Sequence, residues 1–469
     1  MKVQNTVFKW CFYLVLLLMA NGLHARENLK LSEHNPPRGN NLSEIAASDS
    51  LIRFPHPWTS PYTVDKQNPQ SLVNREGKHL YILNKTEWAF FVCDYPEQIL
   101  KKAHSQGVNV IRVCLEGTPY FKQLGYDIWP WGGTRMNPDW STFSETYWNQ
   151  VEERIKLAGE NGIGIDLVLY FTLKPTVADT ASQLFYWKQV LKRLGKYSNI
   201  LTWEIMNEYV RNESFQNVAG NYFYNKDYWK RPVCTSDGTT DDAVWPDKHW
   251  MGLSIVHTCT GSTEKHDLAN WYLSVARNTR AHGKPAFNNE SGREKRHKND
   301  DPVHRRKQGW LFSSAGCFWT FHAWEGCEGI NDTIYNGPGA EYLLPMKQFF
   351  DSMPFWQMKP NFTACQLQNN NLVFAALSKP DREVISMYIC SRETRKTITS
   401  EKALVRLPDG KYNISFYNPA DLSLLGTIQF ESTSLGLVSS IELPDFTDDL
   451  VLKITSETQK EKSIIKGTQ

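Results

Sequence analysis

The sequence predicts a (β/α)8 TIM barrel followed by a small all-β sandwich, and three observations carry that expectation. Apolar, β-rich runs alternate with amphipathic segments through the middle of the chain. Several of those runs lack polar alternation, as parallel strands covered on both faces should. After Met353 the rhythm changes to short strand-like runs separated by turn signals. A chain of 469 residues exceeds one ordinary domain and suits one large plus one small.

The strand-like runs of the first part cover residues 87–92, 108–113, 164–170, 200–205, 232–235, 253–257, 285–288 and 315–320. Between them Tyr147, Val151, Ile155 and Ala158 recur at helical spacing, with Thr142 and Glu145 as a capping box and Asn161-Gly162 as a stop. Leu184, Trp187, Leu191 and Leu194 form a second stripe, and Leu268, Trp271 and Val275 a third. Eight strands in such alternation match the closed barrel. A doubly wound open sheet is the rival, but no Gly-rich phosphate fingerprint follows any of these strands. Pro354 and Pro360 then punctuate a linker. Runs at 372–377, 384–390, 403–407, 412–417, 424–430, 438–443 and 450–454 follow, with turn signals at Asp409-Gly410 and Asn418-Pro419, and they predict a sandwich.

Lys2 and Lys9 precede an apolar run over residues 11–20, and the small residues Ala20, Gly22 and Ala25 follow it. That is the pattern of a secretory signal, and the run is half the roughly 20 residues a spanning helix needs. The expected organisation is a signal peptide over 1–25, an extended segment over 26–50, the barrel over 51–353, the sandwich over 354–458 and a flexible tail over 459–469. The protein is thus expected to be exported, to the periplasm or the extracellular space, with no integral membrane span. Eight cysteines follow the signal, an even number that permits disulfides, although several fall in apolar runs where a small buried hydrophobe is the simpler reading. Lys plus Arg (52) nearly equals Asp plus Glu (50), so no electrostatic footprint for nucleic acid exists. The 17 Trp predict indoles on surfaces or in pockets as well as in the core. Nothing in the sequence speaks to oligomeric state.

In a barrel, chemistry projects from the C-terminal ends of the strands. One run ends in Asn207-Glu208, and another, three barrel strands later, ends in Glu290. Two carboxylates on different strand ends are what retaining glycoside hydrolysis requires: one protonates the leaving oxygen, and the other attacks the anomeric carbon from the opposite face. The separation expected for that mechanism is about 5–5.5 Å.

The segment Trp203-Glu-Ile-Met-Asn-Glu208 resembles the strand-four signature of clan A glycoside hydrolases. The resemblance implies that Glu208 is the acid/base, that Asn207 bonds the sugar 2-hydroxyl and that Glu290 is the strand-seven nucleophile. It further implies that Arg112 lies beside the nucleophile, that His257 is the strand-six histidine and that Trp319 is the strand-eight tryptophan under the reacting sugar. The stretches 410–419 and 443–452 resemble the collagen-binding-like sandwich of the apiosidase-like group, whose first strand tends to carry an acidic residue where this chain has Lys85.

Glu204 is read as a buried structural carboxylate with an arginine partner, which Arg112 could be. Trp129, Trp131 and Trp140, set among Gly and Pro, are either sugar platforms or core, and Trp131 is retained as a substrate-binding candidate. The basic stretch 293–306 reads as a solvated loop and helix, or as a site for an acidic sugar. Asn84, Asn289 and Asn361 open glycan-acceptor triplets, of which the second would block the mouth. No cofactor and no metal are expected, since neither paired histidines at ligand spacing nor HExxH occur, and no Gly-x-Ser-x-Gly marks a serine esterase. The expected partner is an oligosaccharide or polysaccharide. A catalytically silent glycan-binding barrel is the alternative, against which stands the presence of both glutamates.

Overall fold

The structure is a computed structural model that describes residues 51–116, 128–171, 180–208, 212–238, 240–259, 267–292, 301–322, 337–433 and 438–457. The expected signal peptide, extended segment and tail lie outside these residues, as do Cys327 and residues 293–300 of the basic stretch. Among the described residues no helix is long and apolar enough to cross a membrane.

Eight parallel strands form the first sheet: β1 Leu83–Thr86, β2 Val110–Glu116, β3 Gly164–Tyr170, β4 Ile200–Met206, β5 Val233–Cys234, β6 Ser254–His257, β7 Ala286–Glu290 and β8 Phe318–Phe321. Their spatial order is β6-β7-β8-β1-β2-β3-β4-β5. A parallel bridge from Val233 to Met251, just ahead of β6, links the two ends, with the Gly252 amide donating to the Val233 carbonyl at 2.7 Å. Helices α1 Pro96–Ser105, α2 Glu145–Glu160, α3 Thr180–Leu194, α4 Glu213–Lys226, α5 Leu268–Ala281, α6 Pro302–Ser314 and α7 Leu343–Asp351 surround it. One close approach fixes a glycine at the start of β3. A Cβ on Gly164 would lie 2.1 Å from the Trp58 ring, which is fully buried and donates its indole N–H to the Gly162 carbonyl.

Several expectations change. The first strand is Leu83–Thr86, not 87–92. The run Trp88–Val92 is buried but coiled into turns, with Phe90 N bonded to Glu87 O and Cys93 N to Ala89 O. The strand itself carries Asn84, Lys85 and Thr86, all buried, so a search for apolar runs passes over it. α2 is capped by Ser144, whose side chain accepts from Tyr147 N, rather than by Thr142. Nine indoles are among the largest fully buried side chains, because a barrel offers both an interior and a strand–helix layer to fill. None of the seven cysteines among the described residues is disulfide-bonded to another of them. Asn84 and Asn289 are buried and cannot serve as glycan acceptors.

The C-terminal strands are β9 Leu372–Ser378, β10 Val384–Ser391, β11 Lys402–Val405, β12 Gly410–Tyr417, β13 Leu424–Ser432, β14 Ser439–Glu442 and β15 Asp449–Ser456. An antiparallel sheet with the order β9-β10-β15-β12-β13, edged by Lys359–Pro360, faces a smaller sheet of Cys365–Leu367, β11 and β14. Alternation along β10 and β15 explains why they read as continuous apolar runs. Ile385, Met387, Ile389, Leu450 and Leu452 fill the sandwich, while Val384, Tyr388, Cys390 and Val451 join the barrel's core. Tyr388 stacks on Trp310 of α6 at 5.5 Å. Arg306 donates twice to Asp449, at 2.9 and 2.6 Å. The described end of the basic stretch therefore enters a buried helix, not a solvated one: His304, Arg305 and Arg306 are all covered.

Candidate active site

β4 ends at Met206, and the next two residues turn sharply. Glu208 has φ 53°, a left-handed conformation that costs a side-chain-bearing residue on the order of 1–2 kcal/mol. Its amide donates to Ser236 Oγ at 3.3 Å, which holds the turn, and its side chain is 38% exposed at the mouth. Glu290 ends β7 and is buried, with one carboxylate oxygen accepting from Arg112 Nη1 at 3.1 Å. Carboxyl oxygens of Glu208 and Glu290 lie within 4.8 Å of each other.

Arg112, on β2 and fully buried, joins the site together. It forks onto Glu204, with Nε to Oε2 at 2.8 Å and Nη2 to Oε1 at 2.5 Å, and Nη2 also reaches Asn207 Oδ1 at 2.8 Å. Trp88 lies over the guanidinium at 4.6 Å. Arg112 is thus both the partner of Glu204 and a neighbour of Glu290. With Oδ1 of Asn207 taken, its amide N–H group is the end that can serve a ligand. His257, at the end of β6, shares a 3.3 Å hydrogen bond through Nδ1 with Glu208 and a 2.7 Å one through Nε2 with Asn289 Oδ1. Asn289 in turn donates to Glu204 Oε2 at 3.0 Å.

The electrostatics separate the groups. Burial works to raise Glu290, but the charges of His322, His257 and Arg112, with a hydrogen bond from Cys259, outweigh it and hold the carboxyl at about 2. Burial pulls His257 down; its bond to Glu208 and the charge of Glu290 prevail and raise it. Asp166, one layer deeper on β3, moves the other way. Burial and then the charge of Glu204 push it up to about 7, while Thr202 and Asn84 donate to it.

Of the residues read from the sequence, Glu208, Glu290, Asn207, Arg112 and His257 come together, and two do not. Trp319 sits in mid-strand on the outer side of β8, its ring against Gly309 of α6, and is buried. The strand period of two turns it away from the mouth. Trp131 opens an antiparallel hairpin, Trp131–Thr134 with Asn137–Phe143, and is buried between Tyr186, stacked at 5.4 Å, and Trp140 at 5.3 Å. No sugar can reach either ring as placed. Sequence reasoning missed Ser236, Cys259, Asn289 and His322. Cys259 is close to both carboxylates, with Sγ 3.3 Å from Glu290 Oε1 and 4.0 Å from Glu208 Oε1.

A parallel barrel with two glutamates converging from β4 and β7 over a buried arginine is a glycosidase architecture. Residues 74–232 match the family model described as cellulase (glycosyl hydrolase family 5). No curated protein matches the chain. Among solved structures, a glycoside hydrolase family 5 protein from Bacteroides vulgatus ATCC 8482 is similar at 17% identity, over 87% of this chain and 96% of that one, with TM-score 0.68. A second, described as a glycoside hydrolase, is similar at 16% identity over 87% and 99%, also with TM-score 0.68. Those likenesses show the fold, and the coverage extends past the barrel into the sandwich. The family match covers about a third of the chain, within the barrel, so in that stretch the chain is similar to family 5 glycosyl hydrolases.

Proposed function

We propose that the protein is an exported retaining glycosidase of oligosaccharides or polysaccharides, of plant or similar origin, with Glu290 as nucleophile and Glu208 as acid/base. One observation carries the mechanism. One oxygen of each carboxyl lies within 4.8 Å of the other, in keeping with the about 5–5.5 Å of retaining enzymes and short of the about 6.5–9.5 Å that leaves room for an inverting water. Glu208 gives its proton to the glycosidic oxygen as Glu290 attacks the anomeric carbon, forming an ester and releasing the aglycone. Glu208, now ionised, takes a proton from water as the water attacks the same carbon and frees Glu290. The cations around Glu290 keep it ionised at neutral pH, and the Asn207 amide N–H holds the sugar 2-hydroxyl. The amino-terminal pattern supports export, which N-terminal sequencing of the mature protein checks. Screening aryl glycosides and plant oligosaccharides, then following the first-formed anomer by proton NMR, tests the reading. A product that keeps the substrate's anomeric configuration supports it, and an inverted product overturns it.

A further inference from the structure

Four different metal-ligating side chains meet at the mouth: Glu208, His257, Cys259 and Glu290 each bring one ligand atom, and all four atoms lie within 4.8 Å of one another. They come from three strand ends, which is why no ligand spacing shows in the sequence. Tetrahedral zinc, with bonds of about 2.0–2.3 Å to nitrogen, oxygen and sulfur, needs ligand atoms about 3.3–3.7 Å apart. Three edges of the cluster already measure 3.3 Å (His257 Nδ1 to Glu208), 3.3 Å (Cys259 to Glu290) and 4.0 Å (Cys259 to Glu208).

The histidine is also arranged for the task. Asn289 donates its amide N–H to Glu204, so its Oδ1 faces His257 and can only accept from Nε2. In the neutral ring this bond places the hydrogen on Nε2 and leaves the Nδ1 lone pair facing the cluster. Metal-bound histidines are commonly anchored through the other nitrogen in this way. Glu290 is steadied from behind by Arg112. Cys259 is only partly covered, and Glu208 is exposed, so an ion has a way in.

We propose that these four residues form a binding site for a single zinc-class ion, which blocks the cleft reversibly by occupying both carboxylates. A thiolate, an imidazole and two carboxylates suit zinc rather than magnesium or calcium, which call for oxygen ligands in greater number. Binding releases to solvent the protons that Cys259 and Glu208 carry. An enzyme so loaded can neither donate from Glu208 nor attack with Glu290, and sugar and ion compete.

The site is read without sugar, so its failure is separate from failure of the glycosidase reading. Zinc sulfate is titrated into the metal-free purified chain against a chromophoric chelator, with magnesium in excess. One zinc per chain is expected. Cobalt(II) in its place is expected to give visible bands of four-coordinate strength with a near-ultraviolet thiolate band. Cys259→Ser is expected to abolish that band and weaken zinc by more than about 10-fold, the lower end of what losing even an outer partner costs. His257→Ala is expected to remove it too, which assigns the band to this site rather than to another cysteine. Asn289→Ala is expected to weaken zinc by about 10–100-fold. The absence of stoichiometric zinc, a cobalt spectrum without a thiolate band, or unchanged affinity in a folded Cys259→Ser chain each overturns the proposal. Should that variant not fold, the spectrum of the unaltered chain decides.

Discussion

Two buried arginines organise this molecule, and their surroundings differ in one respect that separates adhesion from chemistry. Arg306, between barrel and sandwich, meets one carboxylate, Asp449, which also accepts from Tyr388 at 2.8 Å, while the Tyr342 ring covers the guanidinium at 4.5 Å. Cation and anion balance there, and the pair is sealed. Arg112, at the mouth, meets Glu204 and Glu290 together, with Asp166 close enough to be felt. The cluster holds more acid than base, and beside it Glu208 opens onto the cleft. A buried ion pair is weak evidence of stability by itself. What marks a site is an excess of one charge that packing and hydrogen bonds hold in place.

The largest expected contrast is in rate. Glu290→Ala should abolish turnover of every substrate, since no glycosyl ester can form, whereas Asp449→Ala at the interface should leave kcat/KM of the folded protein intact. Glu208→Ala should cost about 10²–10⁴-fold on poor leaving groups and far less on a dinitrophenyl glycoside, which needs no proton. Steady-state kinetics on the two substrate types reads both.

Stability should invert that order. Arg306→Ala strands Asp449 in the interface and should cost about 3–5 kcal/mol in denaturant unfolding, with activity kept below the transition. Deleting everything after Pro360 should do more harm, because it uncovers α6 along with Trp310 and the apolar residues that β9, β10 and β15 bury. A truncated barrel that stays folded and loses only attachment to insoluble polysaccharide would make the sandwich a tether instead.

A finer contrast lies within the mouth itself. Glu290 is depressed from 4.5 to about 2, so its contribution to stability is present above pH 4.5 and is lost as pH falls towards 2. Asp166 is raised from 3.8 to about 7, so its contribution is complete below pH 3.8 and is lost as pH rises to 7. Each slope is at most about 1.4 kcal/mol per pH unit. Melting curves of Glu290→Gln should lack the first slope, and those of Asp166→Asn the second. A variant that keeps the slope assigned to it breaks the distinction between the two acids.

The smallest effect is conformational. Glu208→Gly should relieve the left-handed turn and stabilise the barrel by about 1 kcal/mol while removing the acid. Loss of stability would mean that the His257 contact outweighs the strain.

The barrel, the sandwich and the two strand-end glutamates were legible from local pattern, whereas Asn207, Arg112 and His257 came from the resemblance to clan A; the structure brings these five side chains together. Glu208, Asn207, Arg112, His257 and Glu290 lie on or next to strands whose apolar runs announce them. Trp319 was misplaced because facing in or out depends on register, which the run 315–320 does not reveal; a shift of one residue exchanges the faces. Trp131 was misplaced because Gly and Pro neighbours signal a loop equally well when that loop folds back into a hairpin packed into the barrel's own core. Ser236, Cys259 and His322 follow strand ends singly, and only the closure of the ring brings them to the glutamates. Asn289 had a usable signal, its place directly before Glu290, but it read only as the start of a glycan-acceptor triplet. β1 was missed because its buried residues are polar, and their partners, such as Asp166 for Asn84, come from distant strands.

The central claim, that Glu290 forms a covalent bond to the sugar, is open to direct reading by mass. Once the screen has found the sugar, the enzyme is incubated with its 2-deoxy-2-fluoro derivative carrying a good leaving group, which slows hydrolysis of the glycosyl-enzyme. The account predicts a gain of one fluorosugar per chain, mapped by peptide sequencing to Glu290 and absent in Glu290→Gln. An adduct on Glu204 or Cys259, or hydrolysis with inversion and no adduct, would contradict it.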